Sequence, residues 1–395
     1  MNDILQQLRN QGEMLQPKLV EYRRTFHAHP ELKMDTPWTE AQIIATLRAI
    51  GAEEITGGVG GHGVTALIRG GRPGKCLAIR ADCDGLPIRE ETGLPFASQN
   101  GNMHACGHDF HTAMALGAAE LILAHREELS GTVKMIFQPY EEGDGGARMM
   151  IEAGVLENPK VDAIVGMHNG CHIGSPYRAG DVLVTPDPIS ANIYAYRAVF
   201  HGPGAHVYLA RTSVNPVYPA AEAIVRIRDL AKAHEQAICA VTVCQGGVRN
   251  NVIPETCVIE GSIRSFDRRE HRQLVQEVRE IIDEAAEKAG SRVDFETSID
   301  LMNTRNDADL YRAFCRTAEA VYPESGWKRL DPVTMMGEDF ARYTDRIPGF
   351  YFMVCARPEG ARYPHHSARF DLEESVLSKC SILMAAFAFS WQRED

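Results

Sequence analysis

The segment 103–111, with the sequence MHACGHDFH, holds the residues best suited to metal chemistry. Cys106 and His108 stand one residue apart, directly before an apolar pattern typical of a helix. Both residue types bind zinc and similar divalent ions, and a loop that enters a helix lets two such side chains converge. The same segment can also be interpreted as a buried cysteine, a helix cap at Asp109 and surface histidines. Other segments must therefore decide between the two.

Two adjacent carboxylates, Glu141 and Glu142, follow the predicted strand at 132–137. Open α/β sheets place their sites at the carboxyl ends of strands. Neighbouring residues at a strand end point in different directions, so one glutamate could bind a metal while the other acts as general base and then general acid. The alternative is an exposed acidic turn, which is what most Glu-Glu pairs are.

Histidines in two more segments could complete a metal site. His168 follows the apolar pattern of residues 163–167, and His365 and His366 stand before Phe370 near the end of the chain. A single histidine is more often a packed or surface residue than a ligand. One cysteine, three histidines and one glutamate from four segments could nevertheless hold two divalent ions about 3.5–4 Å apart.

Alternating helix and strand patterns in the first half predict a layered α/β domain. The predicted elements are an N-terminal helix, helices at 38–50 and about 110–124, and strands at 64–68, 77–80, 133–137 and 163–167. From residue 192 the patterns predict a split β-α-β-β-α-β unit, with elements at 192–200, 216–233, 240–245, 257–265, 268–288 and 292–297. An inserted domain at 186–303 would leave 1–185 and 304–395 as one discontinuous domain.

Residues 58–63, GVGGHG, match a dinucleotide-binding fingerprint. That fingerprint requires a helix to follow, whereas the strand-like sequence VTALI follows here. We therefore interpret the segment as a turn.

The composition excludes several classes of partner. With 53 acidic and 41 basic residues the chain of 395 residues has a net charge of −12, which disfavours nucleic acids and anionic membranes. The first 25 residues lack the features of a secretory signal, and the longest apolar run, 382–389, is too short to cross a bilayer. Ten cysteines without paired spacing suit buried thiols in a reducing compartment, so a cytoplasmic location is expected.

These motifs resemble the metal-dependent aminoacylase and carboxypeptidase amidohydrolases, in the branch that contains hippurate hydrolase, auxin-conjugate hydrolases and aminobenzoyl-glutamate hydrolase. The resemblance covers nearly the whole chain, and its motifs are RTFHAHPEL at 24–32, RADCDGLP at 80–87, MHACGHD at 103–109, QPYEE at 138–142, NVIP at 251–254 and GEDF at 337–340. It implies a metallopeptidase-like α/β catalytic domain with an inserted ferredoxin-like dimerisation domain.

The resemblance also implies roles for individual residues. The implied metal ligands are Cys106, His108, Glu142, His168 and His366. His366 is preferred to His365 because the family ligand stands four residues before an aromatic residue, as His366 does before Phe370. Glu141 takes the role of general base. Asp82 and Asp84 would orient ligands.

The inserted domain would supply further site residues. His206 matches a histidine that, in this family, a partner subunit lends to the active site, where it could stabilise the oxyanion. Asn251 and Arg264 match positions that hold the substrate carboxylate.

Several positions depart from the family pattern. Tyr140 replaces an alanine and Cys83 a methionine, Tyr208 and Ala210 replace a small polar residue and a proline, and Asn215 replaces an aspartate. Tyrosines near a pocket can shrink it or offer stacking and hydroxyl contacts. We therefore expect Tyr140 to contact substrate and to alter the acyl group accepted.

The predicted function is hydrolysis of N-acyl or N-aroyl amino acids by a homodimer or higher homo-oligomer. Each chain would hold two divalent ions, with manganese or zinc expected first and cobalt or nickel as alternatives. Aminobenzoyl-glutamate and dipeptides are alternative substrates. A different mechanism would use Cys106 as nucleophile with His108 or His111 as base. A binding protein without turnover is the third alternative.

Overall fold

The computed structural model describes residues 2–143, 145–170 and 173–392, and these form two compact units. The large unit comprises Met1–Ile189, Arg305–Pro332 and Asp339–Asp395, and the inserted unit comprises Ser190–Thr304 and Val333–Glu338. The division of labour predicted for them, catalysis in one and dimerisation in the other, stays a prediction.

The chain alternates between helices and strands in both units. In chain order the helices are Asn2–Met14 (α1), Gln16–His27 (α2), Pro37–Ala49 (α3), His108–Ala124 (α4), Gly146–Glu152 (α5), Val217–Ala233 (α6), Arg268–Ala289 (α7), Ala308–Val321 (α8), Ala341–Thr344 (α9) and Leu377–Trp391 (α10). The strands are Glu54–Val59 (β1), Gly63–Arg69 (β2), Arg72–Asp82 (β3), Ser130–Gln138 (β4), Ala163–Gly170 (β5), Val182–Val184 (β6), Asn192–His201 (β7), Ala205–His206 (β8), Ile238–Gly246 (β9), Val252–Ile253 (β10), Thr256–Ser265 (β11), Arg292–Leu301 (β12), Lys328–Arg329 (β13) and Gly349–Cys355 (β14).

An eight-stranded mixed sheet forms the centre of the large unit, in the order β1-β2-β4-β3-β5-β14-β6-β13. Strands β4, β3, β5 and β14 run parallel to one another, whereas β1 and β2 join as an antiparallel hairpin. Strands β5 and β14 are buried along their whole length, as expected of parallel strands covered on both faces. Because parallel strands end at the same edge, the residues that follow β3, β4 and β5 come together there.

Helix α4 is buried on nearly every side, since its sequence is rich in alanine and leucine rather than amphipathic. Gly117 lets α4 approach its neighbours, because a Cβ there would meet Ser381 Oγ at 2.5 Å and Leu19 Cδ2 at 2.6 Å. The helix therefore enters the site from the middle of the core and is held rigidly along its length.

The inserted unit has a four-stranded antiparallel sheet in the order β12-β7-β11-β9. Helices α6 and α7 cover one face. Asp267 begins α7 by accepting the backbone N–H groups of Arg269 and Glu270 at 2.8 Å, and Gly290 ends it with a left-handed φ of 64°. The predicted β-α-β-β-α-β order is confirmed, with the added two-stranded ribbon β8–β10.

Other sequence predictions can be compared directly with the structure. Residues 60–62 form the turn between β1 and β2, so the interpretation of the glycine-rich motif is confirmed. Within the described residues, no helix is both long and apolar enough to span a bilayer. Each cysteine that the structure describes is a free thiol, and Cys171 lies outside the described residues.

Candidate metal centre

Cys106 and His108 flank the start of α4, where the chain turns sharply. Gly107 adopts a left-handed φ of 90°, which is costly for a residue with a side chain. A Cβ on Gly107 would also meet Asn169 Oδ1 at 2.5 Å. The glycine between the two predicted ligands is therefore required both by its backbone angle and by the close approach of β5.

The structure brings all five predicted ligands into one cluster. Three overlapping groups have ligand atoms within 4.8 Å of one another: Cys106, His108 and His168; Cys106, Glu142 and His366; and His108, Glu141 and Glu142. Because Cys106, His108 and Glu142 each belong to two groups, the groups form one continuous set.

Individual distances within this cluster support the same arrangement. Cys106 Sγ lies 3.5 Å from His168 Nε2. Glu142 Oε1 lies 3.3 Å from His366 Nε2 and 3.9 Å from His108 Nε2. These atoms are too far apart for strong direct bonds, yet close enough to converge on a shared cation.

Two of the histidines have their outer nitrogen tied to an acceptor. His108 Nδ1 donates to the backbone oxygen of Asp84 at 3.0 Å and lies 3.2 Å from its Oδ1. His168 Nδ1 donates to the backbone oxygen of Asn169 at 2.5 Å. A carbonyl oxygen can only accept, so the hydrogen sits on Nδ1 and each Nε2 keeps its lone pair for a metal.

Two orphaned atoms show that the residues fit a metal ion. His108 Nε2 and Glu142 Oε1 are buried and have no hydrogen-bond partner. Leaving such atoms unpaired costs about 1–3 kcal/mol each, and a divalent cation would satisfy both. The set of thiol, imidazole and carboxylate suits zinc, manganese, cobalt or nickel.

The environment of Cys106 argues against a thiolate nucleophile. Burial, together with the charge of Glu142, raises the pKa of the Cys106 thiol well above its usual value. Reactive cysteines need the opposite environment, which lowers the pKa. Burial also lowers the pKa of His168, whose Nε2 lies 3.5 Å from the thiol. A bound cation would instead deprotonate Cys106.

Asp84 organises the carboxylate pair. Its Oδ1 accepts the backbone N–H of Glu141 at 3.1 Å, and its Oδ2 accepts that of Glu142 at 3.3 Å. The same carboxylate lies against His108, so one buried side chain orients a histidine ligand and both glutamates. Glu141 Oε1 also accepts the backbone N–H of Asp339 at 3.4 Å.

Tyr140 shapes the loop that carries Glu141 and Glu142. It is one of the non-glycine residues with a left-handed backbone, at φ 63°. Its ring lies against Gly143 and Gly145, and a Cβ on either glycine would clash with the ring. The structure therefore gives Tyr140 a role in shaping its own loop, and the expected contact with substrate stays a prediction.

His365 and His366 differ in what they contact. His366, at φ 65°, directs Nε2 toward Glu142, whereas the His365 ring packs 4.7 Å from the Phe370 ring and its Nε2 lies 3.3 Å from the backbone oxygen of Asn169. Of the two, His366 is the one that joins the cluster around Cys106.

The remaining predicted site residues lie in the inserted unit. His206 is exposed on β8, and its Nδ1 accepts the backbone N–H of Tyr208 at 3.3 Å. Asn251 is exposed as well. Arg264 is half-buried, donates to the backbone oxygen of Met335 at 2.5 Å, and has its pKa lowered by burial. Their roles toward substrate stay predictions.

The sequence motifs included residues to which no role was assigned. Arg80 and Asp339 are completely or almost completely buried and pair at 2.7 Å. Gln138 Nε2 donates to both oxygens of Asp339 at 2.9 and 2.7 Å. Only their positions in the motifs RAD and GEDF could have drawn attention to them, because their partners are remote in sequence.

Known proteins are similar to this chain over nearly its whole length. The chain is 35% identical to N-acetylcysteine deacetylase of Bacillus subtilis (strain 168), over 94% of this chain and 96% of that protein. It is 33% identical to IAA-amino acid hydrolase ILR1-like 4 of Arabidopsis thaliana, over 94% and 84%.

A solved structure shows the same fold. The YXEP protein of Bacillus subtilis, named a dinuclear metal binding peptidase, superposes with a TM-score of 0.81 at 33% identity, covering 96% of this chain and 99% of that one. A family model matches residues 78–390, and the chain therefore belongs to peptidase family M20/M25/M40.

Proposed function

We propose that this M20 amidohydrolase cleaves the amide bond of N-acyl or N-aroyl amino acids. The observation that carries the proposal is Glu141, a carboxylate placed beside five convergent ligand side chains and grouped with His108 and Glu142 within 4.8 Å. A general base must lie within reach of the water that it activates, and a water in this cluster would be adjacent to Glu141.

Each residue of the cluster has a distinct task in this proposal. Two divalent ions would be held by Cys106, His108, Glu142, His168 and His366. When bound, such ions lower the pKa of water and polarise the scissile carbonyl. Glu141 takes the proton from the attacking water and returns it to the departing amine, so that the amine leaves neutral. Asp84 holds the Glu141 backbone, and the Asp339 N–H holds the Glu141 carboxylate, in place for both transfers.

The names of the relatives support an N-acyl amino acid as substrate. One relative is named for deacetylation of N-acetylcysteine and another for hydrolysis of IAA-amino acid conjugates. Both names describe an amide next to an amino-acid carboxylate, which we propose is held by Asn251 and Arg264. His206, lent by a partner subunit, would stabilise the oxyanion. Aminobenzoyl-glutamate and dipeptides carry the same chemical group and stay alternatives.

The proposal is tested by metal removal and add-back. Chelator-treated protein is assayed on N-acetyl, N-benzoyl and aminobenzoyl amino acids, with zinc, manganese, cobalt or nickel restored one at a time. Manganese or zinc is expected to restore turnover best. Activity that survives complete metal removal, and that a thiol reagent abolishes, would instead support Cys106 as nucleophile.

Glu141→Gln separates catalysis from metal binding. The amide keeps the size of the side chain but cannot accept a proton, so we expect metal content to be unchanged and kcat to fall about 10²- to 10⁴-fold. Glu127→Gln is the matched control, since the Glu127 side chain is 84% exposed. Wild-type kcat in the Glu141 variant would refute its assignment as the base.

A further inference from the structure

His111 is a buried histidine of α4 whose ring nitrogens are both bonded within the protein. Its Nδ1 lies 2.5 Å from Asp82 Oδ1 at the end of β3. Its Nε2 lies 3.0 Å from the backbone nitrogen of Asn169 at the end of β5. Only 1% of the residue is exposed, so water cannot replace either bond.

The two partners determine which nitrogen carries the hydrogen. A backbone N–H can only donate, so His111 Nε2 must accept from Asn169. The ring hydrogen therefore sits on Nδ1 and is donated to the carboxylate of Asp82. Although Asp82, His108 and His111 come within 4.8 Å of one another, His111 has no lone pair left for a cation. The same bonds exclude His111 as a base for Cys106.

His111 also lies against two of the proposed metal ligands. Its ring centroid is 4.5 Å from that of His168, in an edge-to-face contact, and 5.4 Å from that of His108. Asn169, whose N–H it accepts, is the next residue after His168 and also accepts the His168 Nδ1 hydrogen. A shift of His111 would therefore move two ligands together.

Bonds continue from Asp82 to the proposed base. Asp82 Oδ2 accepts from Arg80 Nη1 at 2.7 Å, and Arg80 Nη2 donates to Asp339 Oδ1 at 2.7 Å. The N–H of Asp339 then donates to Glu141 at 3.4 Å. This buried chain connects the strand that carries His168 with the loop that carries Glu141.

We propose that His111 is a positioning residue, which fixes His108 and His168 for metal binding without binding a metal itself. The proposal rests on the proposed metal centre but not on the substrate. Residues that orient metal ligands change metal affinity by about 10- to 100-fold when they are replaced. His111 should act on this scale through the geometry of the centre.

Two substitutions can remove its bonds one at a time. His111→Asn can keep a donor near the Nδ1 position but has no acceptor that reaches Asn169. His111→Gln can keep an acceptor near the Nε2 position but loses the donor to Asp82. His111→Ala removes both. The control is His125→Gln at the other end of α4, where the imidazole bonds to Gln11 at 2.9 Å.

Metal affinity is measured by competition with a chelator, and the geometry of the centre by the absorption spectrum of the cobalt-loaded protein. We expect both single-bond variants to bind metal about 10- to 100-fold more weakly, His111→Ala more weakly still, and the control to match wild type. The cobalt spectrum should change in each His111 variant while the far-ultraviolet circular dichroism does not. Partial rescue by Asn or Gln relative to the similarly sized but apolar His111→Leu distinguishes positioning from simple filling of space.

Unchanged affinity and spectrum in the His111 variants would overturn the proposal, and so would the loss of one bound ion per chain, which would make His111 a ligand. If wild type binds no metal, the proposed function fails instead. If the His111 variants do not fold, the position of the His111 ring hydrogen can be measured in wild type by NMR. A strongly downfield imidazole N–H resonance bonded to Asp82 supports the tautomer, and a hydrogen found on Nε2 contradicts it.

Discussion

The large unit has buried ion pairs as well as surface pairs, and a buried pair of this unit can be compared with a surface pair of the inserted unit. Arg80 and Asp82, in the large unit, pair at 2.7 Å with both side chains completely buried. Lys288 and Glu222, in the inserted unit, pair at 3.0 Å with side chains 72% and 37% exposed. Buried pairs are costly to break and surface pairs contribute little. The large unit thus carries charged groups in its interior as well as on its surface, whereas the Lys288–Glu222 pair of the inserted unit lies at its surface.

Exposed apolar side chains also distinguish the two units. The exposed large hydrophobic residues of the inserted unit are Val207, Tyr208, Leu209, Tyr218, Val225, Ile238, Val248 and Val252. Where exposed apolar groups form a contiguous patch, they are typical of surfaces that bind another protein. Strand β9 is also an edge of the inserted sheet. The difference suggests that one unit is built to hold a site and the other to present a surface, as the proposed homodimer requires.

The largest expected effect is on the buried pair. Arg80→Met leaves Asp82 without this ion pair and weakens the bonding of Asp339, so the large unit should lose about 3–5 kcal/mol of unfolding free energy. Urea unfolding followed by tryptophan fluorescence measures this unit alone, because Trp38, Trp327 and Trp391 all belong to it.

Lys288→Met is the matched surface control. Its pair with Glu222 is exposed, so the free energy of opening of α7, measured by hydrogen exchange, should change by less than about 1 kcal/mol. Equal losses in the two variants would remove the contrast between the units.

Buried histidines should give the two units opposite pH dependence. Burial alone would lower the pKa of His27, but the charge of Asp109 and hydrogen bonds to Asp109 and Glu90 raise this pKa to about 9. Folding therefore favours protonated His27, and this stabilisation, present below pH 6.5, is lost as the pH rises to about 9. The loss is on the order of 3 kcal/mol. His27→Gln should flatten the decline seen by tryptophan fluorescence in this window.

His271 in the inserted unit has the opposite sign. Burial lowers the pKa of His271, whose Nδ1 lies 3.0 Å from Ser265 Oγ. The folded unit therefore favours the neutral ring, and stability should fall as the pH drops below about 6.5. Hydrogen exchange of α7, corrected for intrinsic rates, measures the stability of this unit against pH in wild type and in His271→Gln. The same sign of pH dependence in both units would contradict the assignment.

The smallest effect on stability is expected at the exposed apolar surface. Val225→Asp places a charge on the exposed face of α6, where the wild-type residue is 46% exposed. Stability of the isolated chain should change by no more than about 0.5 kcal/mol. Sedimentation should show a shift from dimer toward monomer, with the exposed control Glu235→Gln unchanged. Sedimentation of the wild-type protein as a monomer would contradict the proposed homodimer.

The elements of the inserted unit were predictable because local signals mark them. Helix α7 was predicted at 268–288 and is found at Arg268–Ala289, between a capping Asp267 and a terminal Gly290. Strand β14 was missed, since a short apolar run such as GFYFMVC has no periodicity of its own. Its parallel partner β5 is nearly 200 residues away in the chain, a pairing that no local pattern encodes.

The signals of the site are strongest where chemistry-bearing residues stand close together in the sequence. Cys106 and His108 are visible through their spacing, and Glu141 and Glu142 through their adjacency. The role of His111 depends on partners 29 and 58 residues away, and the pairing of Arg80 with Asp339 spans 259 residues. Roles that arise from such long-range bonds need coordinates.

The packing of Tyr140 on its own loop has an evolutionary consequence. With tyrosine at 140, neither Gly143 nor Gly145 can acquire a side chain unless the ring moves. The order of mutations therefore matters: alanine at 143 or 145 should be tolerated after Tyr140→Ala but harmful before it. Three positions beside the proposed base are thus epistatic. A lineage that acquires the tyrosine restricts, by that step, which later sequences it can explore in this loop.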